Sequence, residues 1–298
     1  AMALIGSGGT LTNQHGYVLA TYTADGLAAL PSDDPLYEAF DRDVMADPIV
    51  QHLLSLFDGT CGGFAATNLI SPNSQTLRNY LVVATGSHSN RLLKDVEIQN
   101  DGQTVRVEYA VALDLDSQAG LAEARHRLPG LLGQFLLALT GQEPPAALAD
   151  VPRDCMCVSE RTALWRGYAT LQRERLALGL DPSRDAASRG DGLLPAFDPD
   201  AWGCCATDLS DDSPSDCVCG RGVAGFLAEL LAAMPASYPQ RHMLWFANYE
   251  PGETRDAKLL LAFARMPRGD AGDLGAFVAS YADTFPAEAE LVRDLALT

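Results

Sequence analysis

Short stretches in the first half of the chain alternate apolar with polar positions or run apolar without a break, and this spacing predicts strands. Tyr17-Val18-Leu19-Ala20-Thr21-Tyr22 is rich in β-branched and aromatic residues. Leu81-Val82-Val83-Ala84-Thr85 is a short buried-type strand ended by Gly86. The runs 96–98 and 105–113 flank Asn100-Asp101-Gly102, and Asp-Gly between two such runs predicts a hairpin. Helical spacing begins after Asp33-Asp34-Pro35 and again after Asp47-Pro48, where an acidic cap precedes proline in the first turn. A further helix is expected from Ser117 to Leu128, broken by Pro129-Gly130, with a second helical piece towards Leu139.

The second half yields a similar succession. Gly222 to Met234 has a strong apolar helix pattern ended by Pro235. Met243 to Tyr249 reads as a strand, Pro251-Gly252 as a turn and Lys258 to Ala264 as the partner strand. Asp270 to Tyr281 reads as a helix with an Asp-rich start. The expected fold class is α+β, with antiparallel sheet elements and packed helices. The repeated order of strand, turn, strand and helix suggests two related halves, residues 1–149 and 223–298. Between them lies a cysteine-rich excursion of loops and one helix, residues 150–222. Gln142–Pro152 and Asp181–Pro199 carry the Pro, Ala, Ser, Gly and Asp of linkers, while Val158–Leu180 has helical spacing.

Composition narrows the class without naming an activity. The 298 residues are 47% hydrophobic and 20% charged, enough for a substantial core. Acidic residues outnumber basic ones 39 to 21, a net charge of −18, and no basic run occurs. A nucleic-acid partner is therefore not expected, because phosphate binding depends on clustered Lys and Arg. No apolar run approaches the roughly 20 residues needed to span a bilayer. Whether the partner is a small molecule or a protein stays open. The N-terminal residues lack a charged region followed by a long apolar one, so the expected location is cytoplasmic. A leader removed upstream would instead indicate a periplasmic or secreted protein.

Cysteine placement carries the chemistry. Six of the seven cysteines lie between residues 154 and 219, as Asp154-Cys155-Met156-Cys157, Cys204-Cys205 and Asp216-Cys217-Val218-Cys219. Thiols this crowded hold a metal, cross-link or exchange electrons. Long loops without hydrophobic periodicity also need something to organise them. The leading expectation is a thiolate metal site. Cys155, Cys157, Cys217 and Cys219 would surround one ion, and Cys204 and Cys205 would bridge or serve a second. Zinc is favoured over an iron–sulfur cluster. Its role is expected to be structural, since no neighbouring base is evident. The competing expectation is a set of disulfides in a secreted or periplasmic binding protein.

A third reading concerns the remaining cysteine. Gly59-Thr60-Cys61-Gly62-Gly63 matches the spacing of a nucleophile elbow, with His88 or His242 as a base for a hydrolase or transferase. That motif needs a strand before the nucleophile, whereas the preceding residues have helical spacing. His15, His52 and His126 have no His or Cys neighbours at metal-ligand spacing. The acidic loop 208–216 lacks the ligand spacing of a calcium loop and reads as solvated.

Overall fold

Successive buried side chains at the start of β3 (Val18–Thr23) enter two different hydrophobic layers. Tyr17 and Leu19 face the larger core, while Val18 and Ala20 face a smaller one made of strand residues alone. The computed structural model describes residues 2–5, 10–13, 15–63, 76–77, 81–86, 90–100, 102–115, 120–142, 144, 157–175, 217–247, 249–267 and 273–296. Before β3, β1 (Met2–Ile5) pairs antiparallel with β2 (Thr10–Asn13). After it come β4 (Gly26–Ala29), α1 (Pro35–Phe40), one π-helical turn (Asp41–Met45) and α2 (Pro48–Gly63). Both helix starts follow the sequence expectation. The carboxylates of Asp34 and Asp47 accept from the backbone N–H of Leu36 and Ile49, each at 2.9 Å, which satisfies two orphan donors.

Four more strands follow: β5 (Thr76–Leu77), β6 (Val82–Thr85), β7 (Arg91–Asn100) and β8 (Gln103–Ala112). The sheet is mixed: alongside antiparallel elements of the kind expected, β3–β4 and β7–β8, it contains parallel pairings. Strand β3 runs antiparallel to β4 and parallel to β6, and β8 runs parallel to both β5 and β6. The expected hairpin is present as β7–β8, paired from Arg91↔Ala112 to Asn100↔Gln103, with Gly102 at φ 78° in the turn. Strand β7 also meets β4 in parallel through Leu27↔Ile98 and Ala28↔Gln99.

Within the hairpin both strands exchange faces part-way along. Val96, Ile98, Val105 and Val107 enter the smaller core from one half, and Ala110 and Ala112 from the other. Asp95, at φ 52°, sits at the exchange in β7. A left-handed residue inside a strand turns the following side chains to the other face, so simple alternation fails there.

The larger core packs helices against the other face of the sheet. Helix α3 (Gly120–Leu139) runs unbroken through Pro129-Gly130, contrary to the expected interruption. A Cβ on Gly130 would lie 3.1 Å from the Ala169 carbonyl, so glycine here permits close approach of the next helix. That helix, α4 (Glu160–Arg173), is preceded by a short strand, β9 (Cys157–Ser159). The same succession follows as β10 (Cys217–Cys219) and α5 (Gly220–Ala233).

The expected C-terminal strands are helices instead. Met243–Phe246 forms α6 and Thr254–Arg265 forms α7, so the strand–turn–strand order does not recur. Helix α7 is buried from Ala257 through Phe263 without interruption, and a short unbroken apolar run of this kind reads equally well as a buried strand. Helices α8 (Leu274–Thr284), capped by Asp273, and α9 (Ala289–Ala296) complete the chain. One continuous core joins α2, α3, α4, α5, α7 and α8 through Phe57, Phe135, Tyr168, Leu227, Phe263 and Phe277. Coarsely, this is the mixed helix-and-sheet class expected.

Candidate thiol site

Three of the sequence's clustered cysteines, Cys157, Cys217 and Cys219, belong to the β9–β10 ribbon. The strands are antiparallel, with Cys219 opposite Cys157, Val218 opposite Val158 and Cys217 opposite Ser159. Cross-strand partners share a face, and so do residues two apart on one strand. The register therefore assigns positions 157, 217 and 219 to one face of the ribbon and the valine pair to the other. Cys155, Cys204 and Cys205 lie outside the described residues, as does His88.

Each strand runs directly into a helix. Glu160 begins α4 immediately after Ser159, and Gly220 begins α5 immediately after Cys219. The two helices press together where a Cβ on Gly167 would fall 2.5 Å from Cγ1 and 2.7 Å from Cβ of Val223. Both N-termini thus abut the cysteine positions.

The opposite ends of both helices are held by α7. Beyond α4, buried Arg175 grips Asp256 with two nitrogens, Nη1 to Oδ1 at 2.8 Å and Nη2 to Oδ2 at 2.9 Å. His52 of α2 donates from Nε2 to Asp256 Oδ2 at 3.1 Å, and Arg175 also donates to Gln172 Oε1 at 3.0 Å. Burial alone would raise the Asp256 pKa; the Arg175 charge, and then His52, more than reverse this and hold the carboxyl well below the usual range. Burial pushes the neighbouring Tyr168 phenol up, and the Asp256 charge adds to that.

Beyond α5, Arg255 Nε donates to the Met234 carbonyl at 2.7 Å and Lys258 Nζ to the Pro235 carbonyl at 2.7 Å. Cations at these carbonyls also suit the negative end of the helix dipole. Lys258, fully buried, pairs with Glu288 at 2.5 Å, and Tyr281 donates to the other Glu288 oxygen at 2.6 Å. With both starts at the ribbon and both ends at α7, the two helices run in the same sense.

The other sequence candidates fall elsewhere. Cys61 lies in the last turn of α2, so its glycine-flanked motif follows a helix rather than the strand an elbow requires. His242 is buried in a 3₁₀ turn (Gln240–His242), within hydrogen-bonding distance of the Thr284 carbonyl at 3.2 Å. His15 pairs through Nδ1 with Asp41 at 2.7 Å and stacks on Tyr37. Among the described residues no three His, Cys, Asp or Glu side chains converge as a metal-ligand set; the thiol side chains of residues 157, 217 and 219 are not among those described. No described helix is long and apolar enough to cross a membrane.

Sequence reasoning missed the His52–Asp256–Arg175 network. Its three members are far apart in the chain, and the available signal was a pair of charges, Asp256 and Lys258, at the entrance to an apolar run. Comparison of the chain with protein-family models, with characterised proteins and with solved structures returns no match.

Proposed function

We propose that this protein is a thiolate metal-binding protein whose metal, zinc ahead of an iron–sulfur cluster, organises the 150–222 segment. One observation carries the reading: the ribbon register groups three cysteine positions on one face, at the N-termini of two helices running in the same sense. Cys155, Cys157, Cys217 and Cys219 are the proposed ligands of one tetrahedral ion, with Cys204 and Cys205 bridging or holding a second. The role is structural: four thiolates close the coordination sphere, whereas a catalytic zinc keeps a position open. A reducing, cytoplasmic setting accompanies this reading.

A second reading rests on the opposition of Cys219 to Cys157, which also suits a disulfide in an oxidising compartment. Intact mass and elemental analysis on protein purified without chelator or reductant separate the two. Stoichiometric zinc with unmodified thiols is the expected result. Absence of metal, with a mass lowered by about 2 Da for each bridge formed, would replace the metal reading with the disulfide one.

A further inference from the structure

We infer that Cys157 and Cys219 form a redox gate on this site: a peroxide-class oxidant joins them as a disulfide and expels the metal. The inference rests on the metal reading above and specifies how that site is regulated.

The argument begins with distances that the ladder imposes. Directly opposed residues of an antiparallel pair have Cα atoms about 4.5–5.5 Å apart. Disulfides need about 4.4–6.8 Å, so Cys157 and Cys219 lie inside the window without backbone movement. Cys217 and Cys219, two apart on one extended strand, are separated by about 6.6–6.8 Å, at its far limit. Cys217 itself faces Ser159 across the ribbon and has no opposed thiol. Among the three cysteines of the ribbon, oxidation therefore has one favoured product.

The chemistry closes with a single co-reactant. One metal-bound thiolate attacks a peroxide oxygen, forming S–O and breaking O–O, and the departing hydroxide is protonated to water. The opposed thiolate attacks the resulting sulfenic sulfur, forming S–S, and the second hydroxide leaves and is also protonated. Two thiolates, one hydrogen peroxide and two protons give one disulfide and two waters. Zinc stays divalent throughout. It leaves because the two thiolates proposed to hold it in the ribbon have become a disulfide, which is a poor ligand.

The test uses the full chain loaded with one equivalent of zinc and treated with hydrogen peroxide. Released zinc is followed with a chromogenic chelator, and disulfides are located by peptide mapping without reduction. One Cys157–Cys219 disulfide per zinc released is the expected outcome, reversed by a dithiol reductant and re-added zinc. Cys217→Ser should still give the 157–219 link, whereas Cys157→Ser should not. If zinc binds but peroxide leaves it in place, or releases it with a different pairing, the gate is wrong and the metal site survives. If the wild-type chain takes up no zinc at all, both readings fall. Mapping on the wild type keeps the test decisive should a variant fold poorly.

Discussion

Arg175 and Asp256 meet through two parallel hydrogen bonds of 2.8 and 2.9 Å, although 81 residues separate them in the chain. The pair fastens the end of α4 to α7, and His52 brings in α2 from the same carboxylate. Neither charge reaches solvent to any useful extent, so each depends on the other for its solvation.

Removing one partner should therefore cost far more than removing both. Asp256→Ala is expected to lower stability by about 3–5 kcal/mol, because it strands the Arg175 guanidinium in the interior. Adding Arg175→Met should recover much of that loss. Urea unfolding of the two single variants and the double variant measures the coupling. A cost below about 1 kcal/mol for Asp256→Ala would mean that the pair is effectively solvated.

The same carboxylate gives stability a definite acid dependence. Its native pKa lies below the ordinary value of about 3.9 that it regains on unfolding. Its contribution is thus fully present above the unfolded value and is lost as pH falls through the native one. The stability gap between wild type and Asp256→Asn should stay constant above about pH 5 and shrink below about pH 4. Denaturant titrations across that range provide the check, and a gap that widens on acidification would contradict the sign.

The contact between Gly167 and Val223 sets the spacing of α4 and α5. Alanine at 167 would push its Cβ into a β-branched residue that has little freedom to rotate away. A loss of about 1–3 kcal/mol is expected, with partial recovery on adding Val223→Ala. The single variant should also weaken zinc uptake, since the ribbon is continuous with both helices. Thermal melts and competitive zinc titration read these two effects separately.

Tyr17, Tyr168 and Tyr281 should resist alkali until the fold gives way. Burial raises the phenol pKa of Tyr17, Tyr168 and Tyr281, reinforced at Tyr17 by Asp41 and at Tyr281 by Glu288. In an ultraviolet alkaline titration their ionisation should coincide with loss of near-ultraviolet circular dichroism. Their ionisation in the folded state would show that these hydroxyls reach water.

Much of the first half was legible because its signals are local. Asp34 and Asp47 before prolines mark helix starts, and Asp101-Gly102 marks the β7–β8 turn, without reference to anything distant. The errors came where tertiary packing decides. Pro129-Gly130 looks like a break, yet the glycine is the place where α3 admits α4, and packing holds the helix together across the proline. Leu259 to Phe263 looks like a buried strand because it is a short unbroken apolar run. The parallel pairing of β3 with β6 joins segments about 60 residues apart, and no short window reveals it. For the candidate site, spacing pointed to the two C-x-C pairs, but the register that opposes Cys219 to Cys157 is a property of the folded ribbon.

The shared footing of α4 and α5 on α7 has a mechanical consequence. A helix of 14 residues is about 21 Å long, so a tilt of about 3° at one end moves the other by roughly 1 Å. Metal–sulfur bonds tolerate only about 0.2 Å. Arg255, Asp256 and Lys258 fix the α7 ends of both helices, whose other ends are continuous with ribbon positions 157–159 and 217–219. Small changes at these three residues of α7 should retune sulfur geometry a full helix length away.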